Sequence, residues 1–190
     1  MCGRYQFSAD EYKEIRQIVR DAQRRSGGNE LNFPMAGDIC PSQVAPVLVS
    51  RREKIVGEFQ QWGVPGFRGR QQIINARAET VTEKPMFRRS VAFQRCVIPA
   101  TGFYEWDSAK HKYFFQMPGQ PIYLAGIYDN INGVNCFIIL TTAPNDSVAP
   151  IHDRMPRLVD AGAALELLCS RPPLLQRTSC DGQLGFDDLA

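Results

Sequence analysis

The sequence predicts a protein of the α+β class in which β-strands make up most of the ordered structure. Short apolar stretches are separated by turn residues, as at Pro118-Gly119 and Asn132-Gly133, and this spacing is typical of strands. A segment near the start instead has apolar residues at helical spacing. At 190 residues, the chain is long enough for one domain with a substantial core.

The helical segment is predicted to begin after Ser8 and to end at Gly27. Ser8 followed by Glu11 fits a capping box. Four apolar residues then recur at helical spacing: Tyr12, Ile15, Val19 and Ala22. The basic residues of this helix are interpreted as a solvated face rather than as a DNA site. A second helix is predicted at residues 162–169, with Asp160 as its cap.

The strands are predicted at residues 44–49, 55–60, 73–80, 96–100, 110–117, 122–128 and 135–142. The first two are expected to form a hairpin around a charged turn. Residues 29–37 and 61–66 are predicted to be loops because Gly and Pro interrupt them. Trp62 lies in the second loop, and there it would either cover the core or provide a stacking surface.

Composition and charge exclude several classes of protein. A net charge of +2 argues against broad coating of nucleic acid, although it permits a local basic groove. The six cysteines are widely spaced without a CxxC pair, so we expect no zinc site, no redox motif and no cofactor. The sequence has neither a signal peptide pattern nor an apolar run of membrane-spanning length. We therefore expect a cytoplasmic protein with reduced thiols.

Cys2 is the first candidate for chemistry, because it directly follows the initiator Met1. Removal of Met1 would give one residue both a thiol and a free α-amine, whose reference pKa is about 7.7–8.0. An amine attacks an aldehyde to form a Schiff base. The thiol of an N-terminal cysteine can then add to that imine and close a five-membered thiazolidine. An internal cysteine cannot carry out this sequence of steps.

Two other stretches combine polar groups in ways that indicate either a site or a solvated surface. Strand alternation would put Asn75, Arg77 and Glu79 on one face. Glu105 is a lone carboxyl among aromatic residues, where burial would raise its pKa and suit it to proton transfer. His152 lies in a Pro-bounded loop and is either a structural hydrogen-bonding residue or a reacting group.

Taken together, the motifs resemble those of the SRAP proteins, once called SOS-response-associated peptidases. Met-Cys-Gly-Arg-Tyr opens the chain as in that family, and six separated motifs follow in the family's order. They occupy residues 40–43, 62–63, 75–80, 102–106, 141–145 and 151–156. The resemblance covers residues 2–170 of a single domain at 1–190. The tail at 171–190 is diverged or shortened, since it lacks the further C-terminal strand that family members usually carry.

The resemblance implies a mostly antiparallel, barrel-like β core with flanking helices. It also implies covalent capture of abasic sites in single-stranded DNA through Cys2, after loss of Met1, in the response to DNA damage. Asn75 would orient the Cys2 amine, Glu105 would transfer protons as the sugar ring opens, and His152 would assist imine formation and reversal. The residues implied in DNA binding are Arg4, Pro41, Trp62, Arg77 and Arg154.

Two alternatives use the same residues. A thiol peptidase would pair Cys2 with His152 and Glu105, its one credible substrate being the bond after Met1, unless an aminopeptidase removes that residue. A noncovalent module would bind single-stranded DNA without forming an adduct, and its affinity would fall steeply with salt. The small size favours a bacterial or phage protein that associates with the nucleoid when bound to DNA.

Overall fold

The computed structural model describes residues 2–27, 35–66, 71–160, 162–164 and 168. In chain order its elements are β1 (Tyr5–Ser8), α1 (Lys13–Arg25), β2 (Ala36–Ile39), β3 (Val44–Arg51), β4 (Lys54–Trp62), β5 (Val64–Pro65), β6 (Gln72–Ile73), β7 (Asn75–Arg77), a 3-10 turn (Val81–Glu83), α2 (Arg88–Phe93), β8 (Arg95–Ala100), β9 (Gly102–Trp106), β10 (Lys112–Phe115), β11 (Ile122–Ile131), β12 (Val134–Thr142), β13 (Met155–Pro156) and β14 (Leu158–Val159). Within these described segments, no helix has the length and apolar character needed to cross a membrane.

Five strands close into a β-barrel. Their order around it is β4-β3-β8-β11-β12, and β12 pairs with β4 to complete the ring. The four other pairings are antiparallel, whereas β4 and β12 run parallel, with Phe137 opposite Trp62. An odd number of strands cannot alternate in direction all the way around a closed ring, so one parallel pair is unavoidable. The predicted α+β class and barrel-like core are confirmed.

The core is divided by the alternation of side chains along the barrel strands. On β12, Phe137 and Ile139 belong to one cluster, while Ile138 and Leu140 belong to another. The first cluster takes residues from every barrel strand and includes the fully buried Trp62. The second cluster is covered by α2 and by Leu168. Successive residues of a strand point to opposite faces, so β8, β11 and β12 contribute to both clusters, while Leu48 of β3 and Ile55 of β4 pack against the second.

A second sheet brings the N-terminus to the candidate site. Its order is β10-β9-β1-β2, with Tyr5 opposite Phe103. The backbone N–H of Tyr104 also donates to the carbonyl of Arg4 at 3.0 Å. Pairing between β1 and β9 therefore fixes the residues after Cys2 beside the strand that carries Glu105.

The structure corrects several of the predicted elements. Helix α1 is confirmed, but Ser8 ends β1 and the N-cap residue is Tyr12, without a side-chain cap. β2 occupies part of the predicted loop at 29–37. Within the predicted strand 73–80, Ile73 belongs to β6 and Asn75–Arg77 form β7, while residues 78–80 are not in a strand. Of the predicted helix at 162–169, only residues 162–164 and 168 are described, and they are helical; the tail at 171–190 lies outside the described residues.

Candidate active site around Cys2

Cys2 is fully buried at the start of the chain. The Nδ2 amide of Asn75 donates to its carbonyl oxygen at 2.7 Å, and its thiol lies 3.9 Å from the carbonyl of Arg4. Burial raises the pKa of the Cys2 thiol to about 12, and the negative charge of Glu105 contributes in the same direction. The thiol is therefore protonated at neutral pH in this conformation.

Asn75 is held in place by the barrel. Its strand β7 runs parallel to β12, with Ile139 opposite Asn75, and the indole N–H of Trp62 donates to the carbonyl of Ile74 at 3.0 Å. The Oδ1 atom of Asn75 is buried and accepts no hydrogen bond from any described residue. The side chain thus fixes the Cys2 carbonyl with one atom and has an acceptor available beside it.

Glu105 lies on β9 with only 1% of its surface exposed. Strand alternation turns Glu105 and Phe103 inward, while Tyr104 and Trp106 lie on the opposite face of the sheet. Burial raises the pKa of the Glu105 carboxyl, and the charge of His152 acts against that shift. A carboxyl in this position keeps its proton to a higher pH than an exposed one, as a general acid requires.

His152 faces Glu105 from the segment that precedes β13. Its Nε2 lies 3.8 Å from Oε2 of Glu105. On the other side of the ring, the backbone N–H of Arg154 donates to Nδ1 at 3.0 Å. The structure therefore brings Cys2, Asn75, Glu105 and His152 together from widely separated parts of the chain.

Arg154 contacts a carboxylate rather than solvent. Its guanidinium donates to both oxygens of Glu79, at 2.9 and 2.8 Å, and to the carbonyl of Thr141 at 2.6 Å. Only 14% of its side-chain surface is exposed. Nη1 and Nη2 are thus engaged within the protein, whereas the buried Nε has no partner among the described residues. The contact of Arg154 with DNA phosphates stays a prediction.

Trp62 lies in the core, and its contact with DNA stays a prediction. It ends β4 rather than lying in a loop, none of its surface is exposed, and its ring stacks against Phe137 at 6.2 Å. Its backbone N–H donates to Gln43, so Trp62 joins the 40–43 segment to the barrel. Of the two readings of Trp62, the structure supports the one in which it closes the core.

The other three predicted DNA-binding residues are at least partly accessible. Arg4 is 38% exposed and forms an ion pair with Asp38 at 3.3 Å. Pro41 is partly exposed, and Arg77 is exposed at the end of β7. Arg77 therefore has its guanidinium available to a ligand.

Sequence reasoning did not identify the partnership between Glu79 and Arg154. A signal for it was present, since both residues lie in the motifs at 75–80 and 151–156 and carry opposite charges. Nothing in the sequence shows that the two motifs adjoin, because β12 must first pair with β7 and β13. Thr141, which contacts Arg154 from β12, was missed for the same reason.

Comparison with known proteins agrees with these motifs. Residues 1–174 match the family model described as SOS response associated peptidase (SRAP). The chain belongs to the SRAP family. A Bacillus subtilis relative, abasic site processing protein YoqW, is 32% identical over an alignment of 173 residues that covers 82% of this chain and 75% of the relative. Abasic site processing protein YedK of Escherichia coli is 26% identical over an alignment of 181 residues that covers 87% of this SRAP chain and 78% of the relative.

Solved structures support the SRAP fold. A Bacteroides thetaiotaomicron protein superposes with a TM-score of 0.70 at 24% identity, over 93% of this chain and 83% of that one. A phage-related protein from Bordetella bronchiseptica gives a TM-score of 0.65 at 20% identity, over 88% and 81%. At these identities the similarity concerns the fold alone.

Proposed function

We propose that this SRAP protein captures abasic sites in single-stranded DNA by forming a covalent thiazolidine with Cys2 after removal of Met1. The observation that carries the proposal is the convergence of Asn75, Glu105 and His152 on the residue that removal of Met1 makes N-terminal. Abasic site processing is also the function named for its bacterial relatives. No metal or cofactor is needed for the chemistry.

The reaction begins with the aldehyde of the ring-opened abasic sugar. The neutral α-amine of Cys2 attacks its carbon, and the resulting carbinolamine loses water to give an imine. The protonated Glu105 carboxyl supplies a proton to the departing hydroxyl. The Cys2 sulfur then bonds to the imine carbon while its proton passes to the nitrogen, which closes the ring without any change of oxidation state.

Asn75 and His152 support these steps. The Nδ2 of Asn75 already holds the Cys2 carbonyl at 2.7 Å, and its buried Oδ1 can accept from the α-amine and aim the lone pair. His152, whose Nε2 lies 3.8 Å from Glu105, can stabilise the carboxylate that Glu105 becomes after it has donated its proton. A pre-arranged set of groups of this kind lowers the entropic part of the barrier.

Single-stranded DNA is the expected substrate because the sugar must reach a buried residue. An unpaired strand avoids the cost of extruding a nucleotide from a duplex. Arg77 and Arg4 can contact flanking phosphates through their guanidinium groups. Pro41, partly exposed in the segment joined to Trp62, can contact a neighbouring base.

The thiol peptidase alternative is weaker on electrostatic grounds. A cysteine peptidase needs a thiolate, which nearby positive charge usually stabilises. Here burial, with a smaller contribution from the adjacent Glu105, raises the pKa of Cys2 to about 12. The thiazolidine route uses a protonated thiol and an amine nucleophile, so the same environment suits it.

The test is denaturing electrophoresis with a single-stranded oligonucleotide that carries one abasic site. We expect a stable adduct from protein that begins at Cys2, and none from protein with a residue retained before Cys2. Cys2→Ser keeps the amine but lacks the thiol, so its imine should appear only when borohydride is added. DNA whose aldehyde has been reduced beforehand is the matched substrate control.

Failure of the Cys2-initiated protein to form the adduct would contradict the proposal. An adduct that forms equally with reduced DNA would do the same, because an alcohol cannot form an imine. Salt-sensitive binding without any adduct would instead support the noncovalent alternative. Release of Met1 from the longer protein, lost in Cys2→Ser, would support the peptidase alternative.

A further inference from the structure

We propose that Glu79 and Arg154 form a positioning pair that holds the neutral His152 ring with Nδ1 as an acceptor and Nε2–H directed at Glu105. The kinetic part of this inference rests on the proposed function, whereas its structural part does not. Neither residue is assigned to the chemistry itself, since the pair would act through His152.

The pair is built as a rigid fork. Two parallel hydrogen bonds of 2.9 and 2.8 Å join the guanidinium to the carboxylate, and both side chains are largely covered, at 14% and 26% exposure. Hydrogen bonding from Arg154 holds the pKa of Glu79 below its ordinary value. Bidentate geometry restricts rotation of the guanidinium more than a single contact would.

The fork is also attached to the barrel. The Nη2 of Arg154 donates to the carbonyl of Thr141 on β12, opposite Arg77 of β7. The hydroxyl of Thr141 in turn donates to the carbonyl of Ala76 at 3.3 Å. Arg154 is thereby tied to the strand that carries Asn75, and the segment containing His152 is placed relative to that strand.

The backbone N–H of Arg154 selects the tautomer of the His152 imidazole ring. Its N–H points at Nδ1 of His152 at 3.0 Å, and an N–H can only donate. In the neutral ring, Nδ1 must then supply the lone pair, which leaves the proton on Nε2. Nε2 is the nitrogen that faces Glu105, at 3.8 Å.

Hydrogen-bond acceptors near Nδ1 of His152 favour the opposite tautomer, with the proton on Nδ1. The Glu79–Arg154 pair is needed to counter them. The carboxylate of Asp153 lies 3.0 Å from Nδ1, and the carbonyl of Arg154 lies 3.2 Å from it. Either could accept a hydrogen bond from Nδ1–H if the Arg154 N–H moved away. Asp153 is 86% exposed and can swing into solvent, while the fork keeps the N–H of Arg154 in place.

The structural test is nitrogen-15 NMR of the free protein, with the rings neutral, because the two tautomers give distinct nitrogen shifts. The chain has two histidines, and His111 provides an internal reference. Its Nδ1 lies 2.9 Å from the Asp107 carboxylate, which can only accept, so His111 should show the Nδ1–H tautomer. We expect His152 to show Nε2–H.

The variants are Glu79→Gln, Arg154→Lys and a matched control, Glu58→Gln. Glu58 forms an equivalent bidentate pair with Arg51, at 2.7 Å for both bonds, in the β3–β4 hairpin. We expect Glu79→Gln to mix the tautomers of His152 and to slow adduct formation about tenfold, as loss of a supporting contact commonly does. Arg154→Lys should retain part of the rate, and Glu58→Gln should leave both readouts unchanged.

The two readouts separate the possible failures. A pure Nε2–H signal that persists in folded Glu79→Gln and Arg154→Lys would overturn the positioning pair, as would an equal effect of Glu58→Gln. A tautomer change in a protein that forms no adduct at all would support the pair and contradict the proposed function. Unfolding measurements on each variant identify effects that arise from stability alone.

Discussion

Burial acts on Cys2 and Glu105 in the same direction, since both groups are neutral when protonated. It raises the pKa of each because the charged form loses its contact with water. The sequence predicted the raised pKa of Glu105, and the direction is confirmed. The predicted cause was incomplete, because Tyr104 and Trp106 lie on the opposite face of the sheet from the carboxyl.

The dependence of adduct formation on pH tests the role of Glu105. Because its pKa is raised, its acid form persists above the range of an exposed carboxyl and is lost as pH rises through the raised value. The α-amine, with a reference pKa of about 7.7–8.0, reacts only when deprotonated. We therefore expect the single-turnover rate to rise with pH and then to decline on the alkaline side.

Glu105→Gln removes the carboxyl that is expected to cause the decline in rate at alkaline pH. The variant should be slower by about 10²–10⁴-fold, the usual contribution of general acid–base catalysis. Its rate should rise with pH and level off once the amine is neutral. An alkaline decline of the same shape in the variant would assign that limb to another group and contradict this role.

Single elements connect the barrel to the site. The last residue of β4, Trp62, packs against Tyr5 of β1 at 5.3 Å and against Phe137 of β12. Its indole N–H also reaches the residue before Asn75. Trp62 therefore joins the N-terminal strand, the barrel and β7. These contacts place Cys2 and Asn75 next to each other.

Replacement of Trp62 should lower the free energy of unfolding, whereas the DNA affinity of the protein that remains folded should change less. Trp62→Ala leaves a large cavity, and we expect a loss of about 3–5 kcal/mol in the free energy of unfolding. Trp62→Phe should cost about 1 kcal/mol through the lost indole hydrogen bond, because the Ile74 carbonyl still accepts from Ile139. Denaturant titration measures both values.

The control for Trp62 is an exposed aromatic residue of similar size. Phe93 on α2 is 74% exposed, so Phe93→Ala should change stability by less than about 0.5 kcal/mol. A Trp62→Ala protein of unchanged stability that no longer binds DNA would instead restore the stacking role.

Over the whole molecule, much of the positive charge near the site is paired. Arg4 and Lys112 both contact Asp38, and Arg154 contacts Glu79. Arg77 is exposed, and its guanidinium forms no ion pair with any of the residues described here. With a net charge of +2, the protein is expected to use few phosphate contacts, centred on the lesion.

The salt dependence of noncovalent binding measures how many phosphates are contacted. With Cys2→Ser and a reduced abasic oligonucleotide, Arg77→Gln should lower the slope of log K against log salt by about 0.7, the contribution of one single-strand phosphate. Arg51→Gln is the matched control, because Arg51 is paired with Glu58 in the hairpin. An unchanged slope in Arg77→Gln would remove this residue from the DNA contacts.

The sequence by itself determined the elements whose signals are local. Helix α1, the β3–β4 hairpin and the strands around the Pro118-Gly119 and Asn132-Gly133 turns follow from periodicity and turn residues. The sequence also indicated the family and the residues now found together around Cys2. The roles of those residues remain predictions, to be tested by adduct formation.

Only the tertiary structure decided the closure of the barrel, the burial of Trp62 and the pairing of Glu79 with Arg154. Each depends on contacts between segments far apart in the chain: β12 must lie beside both β4 and β7 before these side chains can meet. Burial and strand pairing are properties of the assembled sheet. Local periodicity cannot show whether a polar or aromatic face will meet solvent or another strand.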